Sequence, residues 1–524
     1  MYNHHNHDYC LDELLARSAR KFPNKTAVVF EGTRLTYKEV DERANAIANS
    51  LVRMGVQRGD RVTLIADNTY EWIEMYFAPA KAGATFAPVN ASAPAREMEY
   101  VLNYVAPKVL IFQPRWIDMI QSMKDRLPSV QSYVLMGADV PGMESYERLI
   151  EEGSKEEPGI EPDPLDIALI IFTGGTTGMP RGAMHTHRGC VYSVHSMAID
   201  VRQNYNDVEM HVTPIYHTAM AAQIICSTFL GNKHVLARKF DPETVLNLIE
   251  KEGITCGFVV PTIINMLLQV PDLQKYDLSS LRALYYGGAP MPIKLLEQAL
   301  KTIPCGFIQF YGQTEGFLYA TLPPEDHVVE GPPEKVRKSR AAGRALVNYE
   351  LRVVDGEDRD VPVGEVGEIV VRGPTMTAGY WDRPDETAEV IRNGWLHTGD
   401  LARMDEDGYI YVVERKKDMI ISGGKNIYCP EVEEVLYRHP AVLEATVFGI
   451  PDDYWGEAVK AAVALKPGKE VTEEELIEFC AQSISGWKKP KSVDFLKELP
   501  KSPTGKIIKR VLRDKYWEGA EKKI

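Results

Sequence analysis

Cysteine is scarce and scattered. The chain holds 7, Cys10, Cys190, Cys226, Cys256, Cys305, Cys429 and Cys480, with no C-x-x-C pair among them. An odd number at such spacings excludes a disulfide framework or a zinc ribbon and fits reduced intracellular thiols. Positive charge is short as well: 60 Lys and Arg face 74 Asp and Glu, a net charge of -14, and no basic stripe offsets it. General nucleic-acid affinity is thereby excluded. Long apolar runs are missing. The longest uncharged stretch, 211–232, is broken by Pro214 and carries His217 and Gln223; it reads as a buried core helix with a polar mouth, with no transmembrane segment. The opening MYNHHNHDYC has no basic or apolar segment of a signal peptide, which gives the expectation of a cytoplasmic protein, and its His4, His5 and His7 read as solvated. Neither a G-x-x-x-x-G-K-S/T loop nor a dinucleotide fingerprint occurs, which argues against a P-loop NTPase, and no Ser/His/Asp signature of nucleophilic catalysis appears.

What the sequence has is size and alternation. At 524 residues it exceeds what one hydrophobic core supports, so at least two domains are expected. Segments 27–30 and 33–36 flank Glu31-Gly32 as a hairpin, and Thr36-Tyr-Lys-Glu39 is a capping box for a helix ending near Met54. Strand signals at 61–66, 84–89 and 109–112 alternate with helix signals at 71–81 and 95–104. The stretch 135–166 reads as a solvated connector, and 191–201 as a helix. Further strands are expected at 209–214, 233–237, 256–260, 283–287 and 306–311. From Glu350 the pattern becomes an antiparallel sheet, with strands at 350–354, 367–372 and 409–413. The expected fold is α/β: a large N-terminal domain of helix-covered sheets with a small antiparallel sheet or barrel over 1–414, a hinge at 415–417, and a small mobile α+β domain over 418–524.

One stretch organises the chemistry. The apolar run 167–172 ends in Thr173-Gly174-Gly175-Thr176-Thr177-Gly178-Met179-Pro180-Arg181-Gly182. A strand that stops in so many glycines and threonines offers backbone N–H groups and hydroxyls to an anion, and Arg181 adds positive charge. The loop resembles the phosphate loop of the adenylate-forming superfamily, which comprises acyl-CoA synthetases, luciferases and peptide-synthetase adenylation domains. Two positions depart from that family's pattern. Gly174 stands for the usual serine and Arg181 for the usual lysine, and a planar fork meets phosphate differently from an ammonium.

Other motifs carry the same resemblance in order along the chain. Gly288-Ala289-Pro290, after the strand ending in Tyr286-Gly287, and Tyr311-Gly312-Gln313-Thr314-Glu315 resemble the family's adenine site. By that resemblance Tyr311 and the 288–290 backbone sandwich adenine, Thr314 contacts phosphate and Glu315 holds Mg²⁺. A flat base suits an aromatic face, and a hard cation suits carboxylate oxygen. Asp400 and Arg415 match the ribose contacts, and Lys417 the hinge residue. Ser422-Gly423-Gly424 matches the loop offered to coenzyme A, and Lys506, in the closing 499–506 motif, the lysine that bridges substrate carboxylate and α-phosphate. Two anions repel strongly once water is excluded, so a lysine there has electrostatic work to do. His217, in Pro214-Ile-Tyr-His217, matches the gate of the acyl pocket, which Met220, Gln223 and Gly287 would line.

The resemblance implies an ATP-dependent acyl-CoA synthetase using ATP, Mg²⁺ and coenzyme A, with Lys506, Thr173, His217 and Glu315 in catalytic roles. A medium-to-long-chain fatty acid leads as substrate, with an aromatic or alicyclic acid as the alternative. Amino-acid-activating relatives carry an aspartate near the start of the pocket helix, and 217–223 has none. Loading of a carrier protein ranks behind free coenzyme A, and a homo-oligomer is left open.

Overall fold

A computed structural model describes residues 9–173, 179–502 and 507–517. His4, His5 and His7, the loop residues 174–178 and Lys506 therefore lie outside the described residues. Among the described residues four sheets form, and two of them are large. The seven-stranded sheet runs Glu144–Ser145, Ser132–Leu135, Val109–Phe112, Arg61–Ile65, Thr85–Pro88, Ile167–Phe172, Gly182–Thr186 across its width. All its pairs are parallel except the last, where the strand entering the phosphate loop pairs antiparallel with the strand leaving it. In the nine-stranded sheet the pairs from Thr26–Phe30 to Gly306–Tyr311 are parallel, and both edges are antiparallel. Parallel strands covered on both faces read as continuous apolar runs, which is why 167–172 and 283–287 were legible.

Glu350–Val354, Gly367–Arg372, Ile391–Arg392, Trp395–Met404 and Ile410–Arg415 make the expected antiparallel sheet. Beyond it a fourth sheet, built on the long pair Val442–Asp452 and Gly456–Leu465, has its own apolar core of Ile420, Val432, Leu436, Val447, Val463 and Leu476 among others. All seven cysteines are free. No helix among the described residues is long and apolar enough to cross a membrane.

Three expectations need correction. The helix foreseen over 71–81 is two short ones, Glu71–Met75 and Ala78–Lys81. Pro79 lacks an N–H and its ring would clash with the carbonyl of Met75 four residues back. The helix after the phosphate loop starts at His187, because Thr186 Oγ1 accepts the Gly189 N–H at 3.0 Å and caps it four residues earlier than its apolar stripe begins. The presumed connector 135–166 contains the helix Tyr146–Glu152, whose Tyr146, Leu149 and Ile150 are buried. Tyr146 donates to the buried Glu74 carboxylate at 2.6 Å, and Arg43 pairs with the same group. The helical spacing of those three residues was masked by the charged residues around them. Strand Ser132–Leu135, just upstream, had also gone unread; it is set by pairing with Val109–Phe112 and not by local pattern.

The capping box at Thr36 is present: Glu39 N–H reaches Thr36 Oγ1 at 3.3 Å and Thr36 N–H reaches Glu39 Oε2 at 2.7 Å. Thr36→Ala is expected to lower unfolding free energy by about 1 kcal/mol, read from the urea midpoint; an unchanged midpoint would mean that tertiary packing alone holds this helix.

Candidate active site

The site gathers where strands of both large sheets end. On the seven-stranded sheet, Thr173 N–H donates to Arg181 O at 2.8 Å and closes the neck of the phosphate loop. Thr173 is buried. The Arg181 guanidinium lies 4.3 Å from the centroid of the Tyr380 ring, and its Nη1 donates to Glu386 Oε2 at 3.2 Å. The arginine that the sequence assigned to phosphate is thus anchored on two side chains.

On the nine-stranded sheet, Ala283–Gly287 exits into Gly288, at φ 76°, and then Ala289-Pro290. Gly306–Tyr311 exits beside it into 312–316. Gly287 had been read as making room in a pocket. Its geometry gives a different reason for glycine: a Cβ there would stand 2.4 Å from the Phe310 carbonyl oxygen on the next strand. Gly312 is constrained in the same way, with a Cβ falling 2.0 Å from Phe317 O.

Asp400 is the point of convergence. Its Oδ2 accepts from Tyr311 Oη and Gln313 Nε2, both at 2.9 Å, and its Oδ1 meets Arg415 Nε at 3.2 Å. Asp400 and Arg415 are direct partners across adjacent antiparallel strands, so the sheet register itself brings them together. Gln313 also donates to Thr398 O at 2.8 Å. Burial, and then the Asp400 charge, push the Tyr311 phenol well above its ordinary pKa, so it stays a donor. A carboxylate has about four acceptor positions, and three are used here.

Glu315 stands close by. Tyr380 Oη donates to its Oε1 at 2.6 Å, and Thr377 N–H donates to its backbone carbonyl at 2.7 Å. Two residues on, Phe317 holds φ 61°, a left-handed conformation seldom taken by a bulky side chain, and its ring packs 4.3 Å from that of buried His185. Thr314 contributes its backbone near His185.

His217 immediately precedes the helix Thr218–Leu230 without a side-chain cap bond, its ring 4.5 Å from that of Tyr216, and burial pushes its imidazole down to about 4, so it is neutral. Met220 and Gln223 are buried on that helix, and Gln223 Oε1 is, among the described residues, a buried acceptor with no hydrogen-bond partner. A cavity of about 10 Å³ lies between this helix and the Phe317 segment, lined by Ser193, Met197, Ala222, Phe317 and Thr375 among others.

In the C-terminal part, Gly423 and Gly424 form the turn between strands Ile420–Ser422 and Lys425–Ile427, with Ser422 the last residue of the first. Gly423, at φ 57°, donates its N–H to Trp455 O at 2.8 Å under the indole ring. Burial and the neighbouring Arg415 and Arg513 hold the Lys417 ammonium down to about 8 against the pull of Asp418. Asp418 pairs with Arg513 at 3.2 Å, and Glu414 accepts from the Cys429 N–H at 2.8 Å. The last described helix, Lys509–Trp517, packs its Leu512 with Phe448, Ala462 and Ala464 of the C-terminal sheet.

The sequence reading gave no role to Tyr380, Glu386 or Trp455, because an aromatic residue has no chemical signature until its neighbours are known. A second cluster, Cys10, Asp12 and His187, has donor atoms within 4.8 Å of one another. Its groups are largely taken up: His187 Nδ1 accepts the Leu11 N–H at 3.2 Å, and Cys10 Sγ donates to Pro162 O. It works as the anchor of the first helix.

Comparison with known proteins follows this geometry. A family model described as AMP-binding enzyme matches residues 15–381, and one described as AMP-binding enzyme C-terminal domain matches 431–506. A feruloyl-CoA synthase of an Amycolatopsis species is 37% identical over 95% of this chain and 98% of its own length. The long-chain-fatty-acid–CoA ligase FadD13 of Mycobacterium tuberculosis is 35% identical over 96% and 98%. Among solved structures, the anthranilate CoA ligase AuaEII in complex with anthranoyl-AMP superposes with a TM-score of 0.90 at 28% identity, covering 98% of each chain.

His185 supplies a pH test of the site. Burial lowers its pKa from 6.5 to about 4, so the folded state keeps it neutral where the unfolded chain protonates it. The stability it contributes is full above about 6.5 and is lost as pH falls toward 4. The stability gap between wild type and His185→Gln is expected to narrow by about 2 kcal/mol between pH 7 and 5, measured by urea denaturation. A gap independent of pH would show that folding leaves the pKa of the ring unshifted.

Proposed function

The chain belongs to the AMP-binding enzyme family as an adenylate-forming acyl-CoA ligase, and from that premise we propose how its own residues divide the work. The observation that carries the reading is the convergence of Tyr311, Gln313 and Arg415 on Asp400. A buried carboxylate so oriented, with one acceptor position left and an aromatic ring beside it, suits a ribose whose base stacks on Tyr311 over the 288–290 backbone. The phosphates then lie toward Thr173, Thr314 and Arg181.

Glu315 fits a divalent cation: Tyr380 engages Oε1 and leaves Oε2, a hard oxygen donor of the kind Mg²⁺ takes, without a hydrogen bond among the described residues. Bound there with ATP, Mg²⁺ would supply charge neutralisation at the phosphates. The carboxylic acid, gated by the neutral His217, attacks the α-phosphorus; pyrophosphate leaves and an acyl-adenylate forms. Lys506 draws the two anions together and stabilises the charge of the transition state. In the second half the coenzyme A thiolate attacks the acyl carbon and AMP departs. We assign 1–414 to the nucleotide and acyl domain, 415–417 to the hinge and 418–524 to the moving domain, which presents Ser422, Gly423 and Gly424 to the pantetheine arm. The separate core of the C-terminal unit and the cluster of charges around Lys417 support that division.

For the acid we propose a medium-to-long-chain fatty acid, which the uncharged helix Thr218–Leu230 and the likeness to the fatty-acid ligase support. An aromatic acid is the second reading, favoured by the likeness to the feruloyl-CoA and anthranilate ligases and by the aromatic wall of His185 and Phe317. The deciding experiment measures AMP and thioester with ATP, Mg²⁺ and acids from acetate to palmitate plus benzoate and cinnamate types, with and without coenzyme A. Coenzyme-A-dependent thioester with one class of acid names the substrate; acid-dependent pyrophosphate without thioester moves the acceptor to a carrier protein.

Two variants test the residue roles. Lys506→Ala is expected to lose adenylation by at least a hundredfold while sparing thioester formation from supplied acyl-adenylate; equal loss in both halves would refute its role in the first alone. Asp400→Ala should raise KM for ATP about tenfold or more while KM for the acid holds, and an unmoved KM for ATP would remove Asp400 from the nucleotide site.

A further inference from the structure

Arg181 departs from the pattern its loop resembles, and its surroundings give the departure a purpose. The segment around Tyr380 is stitched to the strand that leaves the phosphate loop. Met184 N–H donates to Gly379 O at 2.9 Å, Ala378 N–H to Met184 O at 2.9 Å and Trp381 N–H to Gly182 O at 2.8 Å. Tyr380 N–H is taken by Thr387 Oγ1 at 2.9 Å. Its backbone is therefore set by the loop's own exit strand, and its side chain, only 3% exposed, reaches from there to Glu315.

The ring is held from the other side. The Arg181 guanidinium lies over it, 4.3 Å from the centroid, and Glu386 keeps Arg181 in place through the 3.2 Å bond to Nη1. Glu386 is steadied in turn by Arg383, 3.5 Å away, whose guanidinium rests on the Tyr104 ring. A lysine in place of Arg181 would carry the charge but could neither stack as a plane nor keep a forked donor for Glu386. Glu386, Arg181, Tyr380 and Glu315 thus form one line of contacts from the protein surface to the carboxylate.

We propose that Tyr380, clamped by Arg181 and Glu386, is a positioning residue for Glu315: it fixes Oε1 so that Oε2 alone faces the divalent cation, and thereby sets the affinity for that cation. The inference rests on the reading of Glu315 as the cation's ligand. A carboxylate pinned through one oxygen loses the freedom to rotate or to bind through both, and outer partners of this kind govern metal affinity by about 10–100-fold. The clamp also joins the cation ligand to the phosphate loop, so that movement of the loop would be felt at Glu315.

The test is Mn²⁺ binding to the full-length protein, followed by the loss of the free-ion electron paramagnetic resonance signal in the presence of a non-hydrolysable α,β-methylene ATP. Tyr380→Phe is expected to weaken Mn²⁺ binding about tenfold or more at unchanged stoichiometry. Glu386→Gln, at a half-exposed position that leaves the core intact, should weaken it in the same direction by less. Glu315→Gln is the reference and should weaken it most. If Glu315→Gln shifts Mn²⁺ affinity while Tyr380→Phe and Glu386→Gln, folded by circular dichroism, do not, the positioning role is overturned though the ligand assignment stands. If Glu315→Gln itself leaves Mn²⁺ binding unmoved, the ligand assignment fails and the positioning role with it.

Discussion

A buried carboxylate is costly unless donors surround it, and Asp400 collects its donors from separate parts of the chain. Tyr311 and Gln313 come from the end of a parallel strand in the nine-stranded sheet, and Arg415 from the neighbouring antiparallel strand. Satisfying that one group obliges the large sheet and the antiparallel sheet to hold a fixed relation. It also leaves the last strand, Ile410–Arg415, running directly into Lys416, Lys417 and Asp418, where the chain turns toward its C-terminal unit. The same register that pairs Asp400 with Arg415 thus sets where the proposed hinge begins.

The chemistry asked of this site is electrostatic. No side chain needs to become a nucleophile, because the acid and the thiol are supplied by the substrates. On the proposed reading the protein brings anions together, holds a cation by oxygen and keeps water out, and a neutral His217, a Glu315 steadied by Tyr380 and glycines where backbone approaches backbone suit those ends. Phe317 shows the same economy. Its left-handed backbone brings its carbonyl against Gly312 and its ring against His185, so a conformation that costs free energy shapes the wall next to the pocket helix.

Much of this was legible before any coordinates. The parallel strands announced themselves as short apolar runs, and the antiparallel sheet after Glu350 by alternation and its Asp-Gly turns. Thr36 and Glu39 announced their helix by a spacing whose hydrogen bonds form as read. The misreadings share a cause. Pro79 splits a periodic stretch through a local clash, and Tyr146 to Ile150 hides a helix among charges. Strand Ser132–Leu135 exists because Val109–Phe112 offers it an edge. In each case a tertiary partner or a single steric clash outweighed the averaged local pattern.

By itself the sequence determined the family, the order of the motifs and the residue types the reaction requires, because glycine, aspartate and lysine at set spacings carry their chemistry wherever the backbone takes them. Only the tertiary structure decided how those residues are held. It showed that Gly287 clears the Phe310 carbonyl oxygen, and it brought Tyr311, Gln313 and Arg415 onto one carboxylate. It also set Arg181 on Tyr380 and Glu386, partners 199 and 205 positions away along the chain. Contacts between residues so distant leave no periodic trace, since they arise from the packing of whole sheets and not from any local preference of the chain.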